Sequence, residues 1–155
     1  MSKLGRQLKK RNEFESIEAE VVISVLRTNE LFQHRFAQLF REFELNQAQY
    51  NILRILHGEG DKLPSLEIAS RMISVVPAIT GLIDKLERKE LVERERCRDD
   101  RRIWYVKLTN KGSDLVESMR EPNSAMHRSL VGHMTKNDMK DLLALLEKAR
   151  ASFSQ

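Results

Sequence analysis

Apolar residues between Ser16 and Phe43 recur every three or four positions. Ile17, Val21, Val25, Leu31, Phe32, Phe36, Leu39 and Phe43 make one stripe, broadened by Val22 and Phe40, and predict a single long helix. A stripe this wide needs more than one neighbour to cover it. Asn46 and Gln49 have the spacing of a capping box and predict a second helix to about His57, with Leu53 and Leu56 inward. Gly58 to Asp61 reads as a loop. A short helix is expected next, with Pro64 in its first turn and Leu66, Ile68, Ala69 and Met72 along it. After a turn at Ile73-Ser74 comes another helix, with Pro77 in its first turn and Ile79, Leu82, Ile83 and Leu86 facing in.

Past Glu90 the period changes to two. Leu91 to Cys97 alternates like an exposed strand, and Ile103 to Leu108 reads as its partner, with Trp104, Val106 and Leu108 on one face. Arg98 to Arg102 is the charged turn between them. Two strands alone are marginally stable, so the hairpin must rest on helices. Thr109 should cap a helix carrying Leu115, Val116 and Met119, which Pro122 kinks or interrupts. Helix resumes from Ala125 to His133. Thr135 and Asp138 start a last helix with Leu142, Leu143, Leu145 and Leu146 on its buried side. The fold class is therefore mainly α with a small β-hairpin. Residues 46–109 have the order of a winged helix-turn-helix. Residues 15–45 and 110–155 form flanking helices, too apolar to be spare, that suit a subunit interface. Residues 1–14 read as a basic, flexible arm.

Composition narrows the function. A chain of 155 residues, 41% hydrophobic and 32% charged, holds one core. No stretch approaches the roughly 18 apolar residues of a membrane span. The start of the chain does not read as a secretory signal, and one cysteine excludes an internal disulfide framework. A reduced cytoplasmic protein is expected. The net charge is only +4, but Lys85 to Lys111 holds ten lysines and arginines against six acids. Met1 to Arg11 adds five cations and no acid. Positive charge concentrated in two places suits a polyanion.

Two constellations carry chemistry. The pair of helices from Leu66 to Leu86 leaves Val75, Val76, Ala78, Thr80, Gly81 and Lys85 on or near its outward face, where a recognition helix meets a major groove. In the hairpin, five arginines lie between Arg94 and Arg102. Guanidiniums entering a minor groove gain from its negative potential. Asp100, two residues before Arg102, can hold that side chain in a fixed pose.

The ordered segments Ile68-Ala69-Ser70-Arg71-Met72, Pro77 to Lys89, Leu91-Val92-Glu93-Arg94, Asp100-Arg101-Arg102 and Leu108-Thr109-Asn110-Lys111-Gly112 resemble the MarR family of bacterial and archaeal regulators. Helix order extends the resemblance from about Ser16 to Ser152. It implies a sequence-specific, DNA-binding transcriptional regulator, a repressor before an activator, working as a homodimer on a pseudo-palindromic operator. It implies recognition helices in successive major grooves, with Arg102 in a minor groove supported by Asp100. It also implies no required cofactor, and modulation by a small aromatic or phenolic effector. Three departures stand out. Val75 occupies the usual position of a capping Ser or Thr, with Ser74 beside it as a substitute. Gly81 replaces a common basic residue. Pro122 sits in a helix that is usually long.

Phosphate contacts are expected from Lys85, Arg88, Lys89, Arg98 and Arg101. His34 and Arg35, near Phe32 and Phe36, are candidates for an effector pocket. Cys97 lies between Arg96 and Arg98, which suits either a redox switch or an inert strand position. The four histidines lack metal-ligand spacing, so no metal site is expected. No nucleophile–base arrangement or phosphate-cradling glycine loop is present, so an enzyme is not expected. The alternative is a winged-helix module that binds protein and reads DNA weakly or not at all.

Overall fold

The computed structural model describes residues 2–75, 77 and 79–153. A short α1 (Lys3–Gln7) precedes the long α2 (Ile17–Glu42), followed by α3 (Gln47–Glu59), β1 (Leu63–Pro64), α4 (Ser65–Ser70) and α5 (Ile79–Arg88). Strands β2 (Val92–Arg96) and β3 (Trp104–Leu108) then lead to α6 (Asn110–Ser118), α7 (Arg120–Val131), α8 (Lys136–Arg150) and a final 3-10 turn.

Local chemistry explains most boundaries. Ser16, Asn46, Thr109 and Thr135 each accept a first-turn backbone N–H, and Asn46–Gln49 and Thr135–Asp138 are full capping boxes. The ends of α2 and α5 share one device. Glu44 N–H donates to the Arg41 carbonyl and Leu45 N–H to that of Phe40; Glu90 and Leu91 do the same to Glu87 and Leu86. Both are Schellman motifs, and both put a glutamate rather than glycine in the left-handed region, at φ 56° for Glu44 and 60° for Glu90.

The core lies in the winged part. Ile52, Leu53 and Leu56 of α3, Ile68 of α4, Ile83 and Leu86 of α5, Val92, Val106 and Met119 are fully buried. The sheet order is β1-β3-β2, all antiparallel, with Val92 opposite Leu108, Arg94 opposite Val106 and Arg96 opposite Trp104. The expected hairpin is thus a three-stranded sheet. Its extra strand is two residues long, too short to show a period, and Pro64 is tolerated because the strand lies at an edge. Pro64 consequently precedes α4 rather than occupying its first turn, and Met72 lies beyond that helix.

The segment expected as a flexible arm carries a helical turn at Lys3–Gln7, with Ser2 accepting from Gly5 N–H. Ser2, Gly5 and Phe14 share a cleft with Ser16 and Ile17 at the start of α2. The core begins at Leu39 and Phe40, roughly 35 Å further along that helix at 1.5 Å per residue. Pro122 interrupts as expected: α6 ends at Ser118, and Pro122 falls in the first turn of α7, where its missing N–H breaks no helical bond.

Within one chain, the side of α8 expected to be buried is not. No residue of α8 is buried, and Leu143 and Leu145 are 60% and 65% exposed. The first half of α2 matches it: Ile17, Val21, Val22, Val25 and Leu26 are all exposed. Among the described residues, no other element of the same chain buries these faces.

Candidate nucleic-acid interface

Helix α5 is strongly two-faced. Ile83 and Leu86 are buried, with Ile79 and Leu82 packed against the core beside them. Thr80, Gly81, Lys85 and Arg88 are exposed on the opposite side. Nothing lies within 4 Å of where a Gly81 side chain would be, so this glycine answers no packing need. Ahead of α5, Ser74 and Val75 are exposed, Val75 at 97%. Val76 and Ala78 lie outside the described residues. Pro77 sits in the turn before α5 rather than within it, and Ser74 lies in a bend five residues before Ile79. Capping of the described helix by Ser74 does not follow from that spacing.

Lys89 is turned to another use. Its Nζ donates to the Glu44 carbonyl at the end of α2, tying the tail of α5 to the long helix. The expected phosphate-contacting Lys89 thus has an internal partner, whereas Lys85 makes no ion pair among the described residues.

One face of the hairpin changes character along its length. At the base Val92 and Val106 are buried. One step out, Arg94 bonds to Asp84 at 2.8 Å and Glu87 at 2.6 Å, joining β2 to α5. The hydrogen bond to Glu87, with Asp84 adding to it, raises the Arg94 pKa, and the same bond lowers that of Glu87. Beyond it, Trp104 has Arg94 5.6 Å and Arg96 4.7 Å from its ring centroid. The sequence places Trp104 on one strand face and Arg96 beside Cys97, but does not reveal the bonds of Arg94 to α5 or the contact of Arg96 with Trp104. The signal was present: Arg94 and Arg96 are two apart, so one strand face must carry both.

In the turn, Asp100 Oδ1 accepts the Arg102 backbone N–H at 2.9 Å and its Nε–H at 3.2 Å. These donors lower the Asp100 pKa, the backbone bond first. Arg102 is held at its root yet 92% exposed, so its pose is restricted while its charge stays available. Arg98 and Arg101 are exposed and, with Arg96 and Cys97, line an open cleft on the hairpin.

The segment Leu108 to Gly112 is a joint. Thr109 Oγ1 donates to the Glu90 carbonyl at 2.6 Å and accepts from Gly112 N–H at 3.0 Å, and Lys111 pairs with Glu90 at 3.2 Å. A Cβ on Gly112 would lie 2.1 Å from the Leu91 carbonyl oxygen. Only glycine lets α6 approach the end of α5 so closely.

A cavity of about 480 Å³ opens between α2, α3, α7 and the turn after α4. Phe32, Phe36, Phe40 and Tyr50 form aromatic walls, with Arg54, Asn123, His127 and Ile73 also on its surface. Asn51 joins the cavity to the turn: it accepts from Arg54 at 2.9 Å and donates to Met72 Sδ at 3.6 Å. Asn123 donates to Tyr50 Oη at 3.1 Å, but its buried Oδ1 has no partner among the described residues. His34 and Arg35 do not line this cavity. They are exposed on α2, where His34 meets Gln38 at 3.2 Å. The helical step of 100° turns them from the face of Phe32 and Phe36. Among the described residues, no group of three His, Cys, Asp or Glu is placed to hold a metal ion, and no helix is long and apolar enough to cross a membrane.

Known proteins share this arrangement. A model of the MarR family matches residues 45–104. The homoprotocatechuate degradative operon repressor of Escherichia coli is 27% identical over 128 residues, covering 83% of this chain and 86% of the relative. The crystal structure of a MarR transcription factor from Planctomyces limnophilus is 33% identical, with a TM-score of 0.69, 87% of this chain and 98% of that one covered. The MepR–DNA complex of Staphylococcus aureus is 26% identical, with a TM-score of 0.74 and coverages of 90% and 99%.

Proposed function

The chain belongs to the MarR family of transcriptional regulators, and from that premise we propose that it binds a pseudo-palindromic operator as a homodimer, as a repressor rather than an activator. The observation that carries the DNA reading is the pairing of an outward, core-free face on α5 with an arginine that is exposed yet fixed by Asp100. Ser74, Val75, Val76, Ala78, Thr80, Gly81 and Lys85 would face a major groove. Arg98 and Arg101 would neutralise phosphates, and Arg102 would enter a minor groove. The repressor among the relatives and the MepR–DNA complex support the same reading.

The uncovered apolar residues of α2 and α8 support pairing of two chains, since contiguous exposed patches mark interfaces. Two-fold symmetry then asks for half-sites about 34 Å apart. The cavity beside Ile73 supports modulation by a small effector. Its aromatic walls, the Arg54 cation and the unmet Asn123 acceptor suit an aromatic or phenolic anion bearing a hydrogen-bond donor. Such a ligand acts only through differential affinity for two arrangements of the chain. His34 and Arg35, exposed on α2 and outside the cavity lining, are not part of this proposal.

A binding titration against duplex DNA over a range of salt tests the proposal. Affinity should fall steeply with salt, and Arg102→Ala should weaken binding by about 1–3 kcal/mol with the dimer intact. The bare Gly81 and exposed Val75 favour one rival, a protein-binding winged helix. Absence of salt-dependent DNA binding would select it.

A further inference from the structure

The flank of the hairpin carries a feature that the paired Asp100 and Arg102 do not use. Arg96, Arg98 and Arg101 surround one open cleft with Cys97. None of the three makes an ion pair with a described residue, so the cleft holds three cations and no internal anion. Like charges gathered in this way are relieved by an outside anion, most effectively one offering several oxygen acceptors. Arg96 differs from the other two in having a fixed backing. Its guanidinium lies 4.7 Å from the centroid of Trp104, its cross-strand partner. Arg94 also lies near the ring, at 5.6 Å, itself held by Asp84 and Glu87 of α5. A chain of contacts thus runs from the helix to the cleft.

We propose that Arg96, Arg98 and Arg101 form a cradle for one backbone phosphate of duplex DNA, and that Trp104 is a positioning residue holding Arg96 for it. The inference rests on the DNA reading above and adds a contact beside the Arg102 tip. A flexible arginine loses side-chain entropy when it meets a phosphate; one already laid against an aromatic face loses less. Arg94 serves the cradle without touching DNA, because its donors are committed to the two carboxylates.

The molecule carries its own reporters. Trp104 and Cys97 are the sole tryptophan and cysteine of the chain; Cys97 lines the cleft, and Trp104 lies against Arg96, which lines it too. The test uses the full-length chain and a duplex recovered by it from a random-sequence pool. Arg96→Gln should flatten the slope of log affinity against log salt by about 0.9 per wing. Trp104→Leu should weaken binding about threefold to tenfold, Trp104→Phe much less, and Trp104→Leu should add nothing when Arg96 is already glutamine. Duplex should slow alkylation of Cys97 by the uncharged reagent iodoacetamide. Inorganic phosphate at matched ionic strength should slow it no more than chloride does.

An unchanged salt slope in Arg96→Gln overturns the cradle, as does a Cys97 that reacts equally fast on DNA. Both measurements leave Trp104 untouched, so they stand even if the leucine variant folds poorly. Equal losses from Trp104→Leu with and without Arg96 overturn the positioning role, since a residue acting only through stability costs the same in both backgrounds. Protection by inorganic phosphate but not by duplex assigns the cleft to a free anion and overturns it too. A wild-type chain that recovers no duplex overturns the DNA reading itself, a result distinct from DNA binding that ignores Arg96.

Discussion

The winged half and the helical ends of this chain are built to different degrees of completion. In the winged half, α3, α4, α5 and the sheet close around residues with no solvent exposure at all: Ile52, Leu53, Ile68, Leu86 and Val106. The ends carry apolar residues of the same kinds with nothing over them; Ile17, Leu143 and Leu145 are each at least 60% exposed. Burying a leucine is worth about 1.5–3 kcal/mol, so one half has collected that stabilisation and the other has not. The difference teaches that this chain is a closed winged core attached to helical ends whose apolar faces it does not cover itself.

The largest effect should come from the joint inside the finished half. Gly112→Ala sets a methyl against a backbone oxygen that cannot move aside without shifting Leu91 and the end of α5. We expect a loss of about 3 kcal/mol in denaturant unfolding, with the sheet and α5 affected together. Equal stability of the variant would show that α6 is free to move away. On the unfinished half, a Leu143→Asp, Leu145→Asp double variant should weaken self-association by at least about 100-fold in sedimentation equilibrium. Circular dichroism should show the winged half still folded, because neither leucine belongs to its core. A variant that unfolds throughout would erase the contrast between the halves.

Smaller effects sharpen it. Glu90 stands in the left-handed region at the end of α5, where glycine is free of the Cβ penalty. Glu90→Gly should raise stability by about 0.5 kcal/mol in thermal unfolding, since the Lys111 pair it loses is exposed and weak. Smallest is the effect of pH on the wing. The Asp100 carboxylate titrates below the ordinary aspartate value because Arg102 donates to its charged form. Its contribution is therefore complete above the ordinary value and lost only as pH falls through the lowered one. Carboxyl NMR titration should show this, and Arg102→Gln should bring the value back by less than half of the shift, because the backbone N–H bond, the larger cause, remains.

Elements written in local patterns were the legible ones. Capping boxes at Asn46 and Thr135, the inner face of α5 and the Asp100–Arg102 spacing each need only a few neighbouring residues, and the fold class followed from their order. What escaped depends on chain segments meeting. The strand at Leu63–Pro64 exists because β3 offers it an edge. The tie from Lys89 to Glu44 spans 45 positions, and the cavity gathers residues from α2, α3 and α7. His34 and Arg35 looked close to the aromatic residues in the sequence but turn away on the helix, whereas Arg54, Asn123 and His127 come from elsewhere. Wing positions fell between these cases. The five arginines were visible, but only the β2–β3 register separates Arg94, bonded to α5, from Arg96 and Arg102, which remain available.

The bond from Lys89 to Glu44 makes the long helix a tiller. At 26 residues, α2 is roughly 39 Å from end to end. If its far end is clamped against a second chain, a swing of about 5° displaces the near end by roughly 3 Å, and the tail of α5 is lashed to that end. The gap between the two reading helices of a pair would then be steered from a place that never touches DNA. Cutting the lashing with Lys89→Met should blunt the preference for one half-site spacing over another while the protein still pairs and still folds.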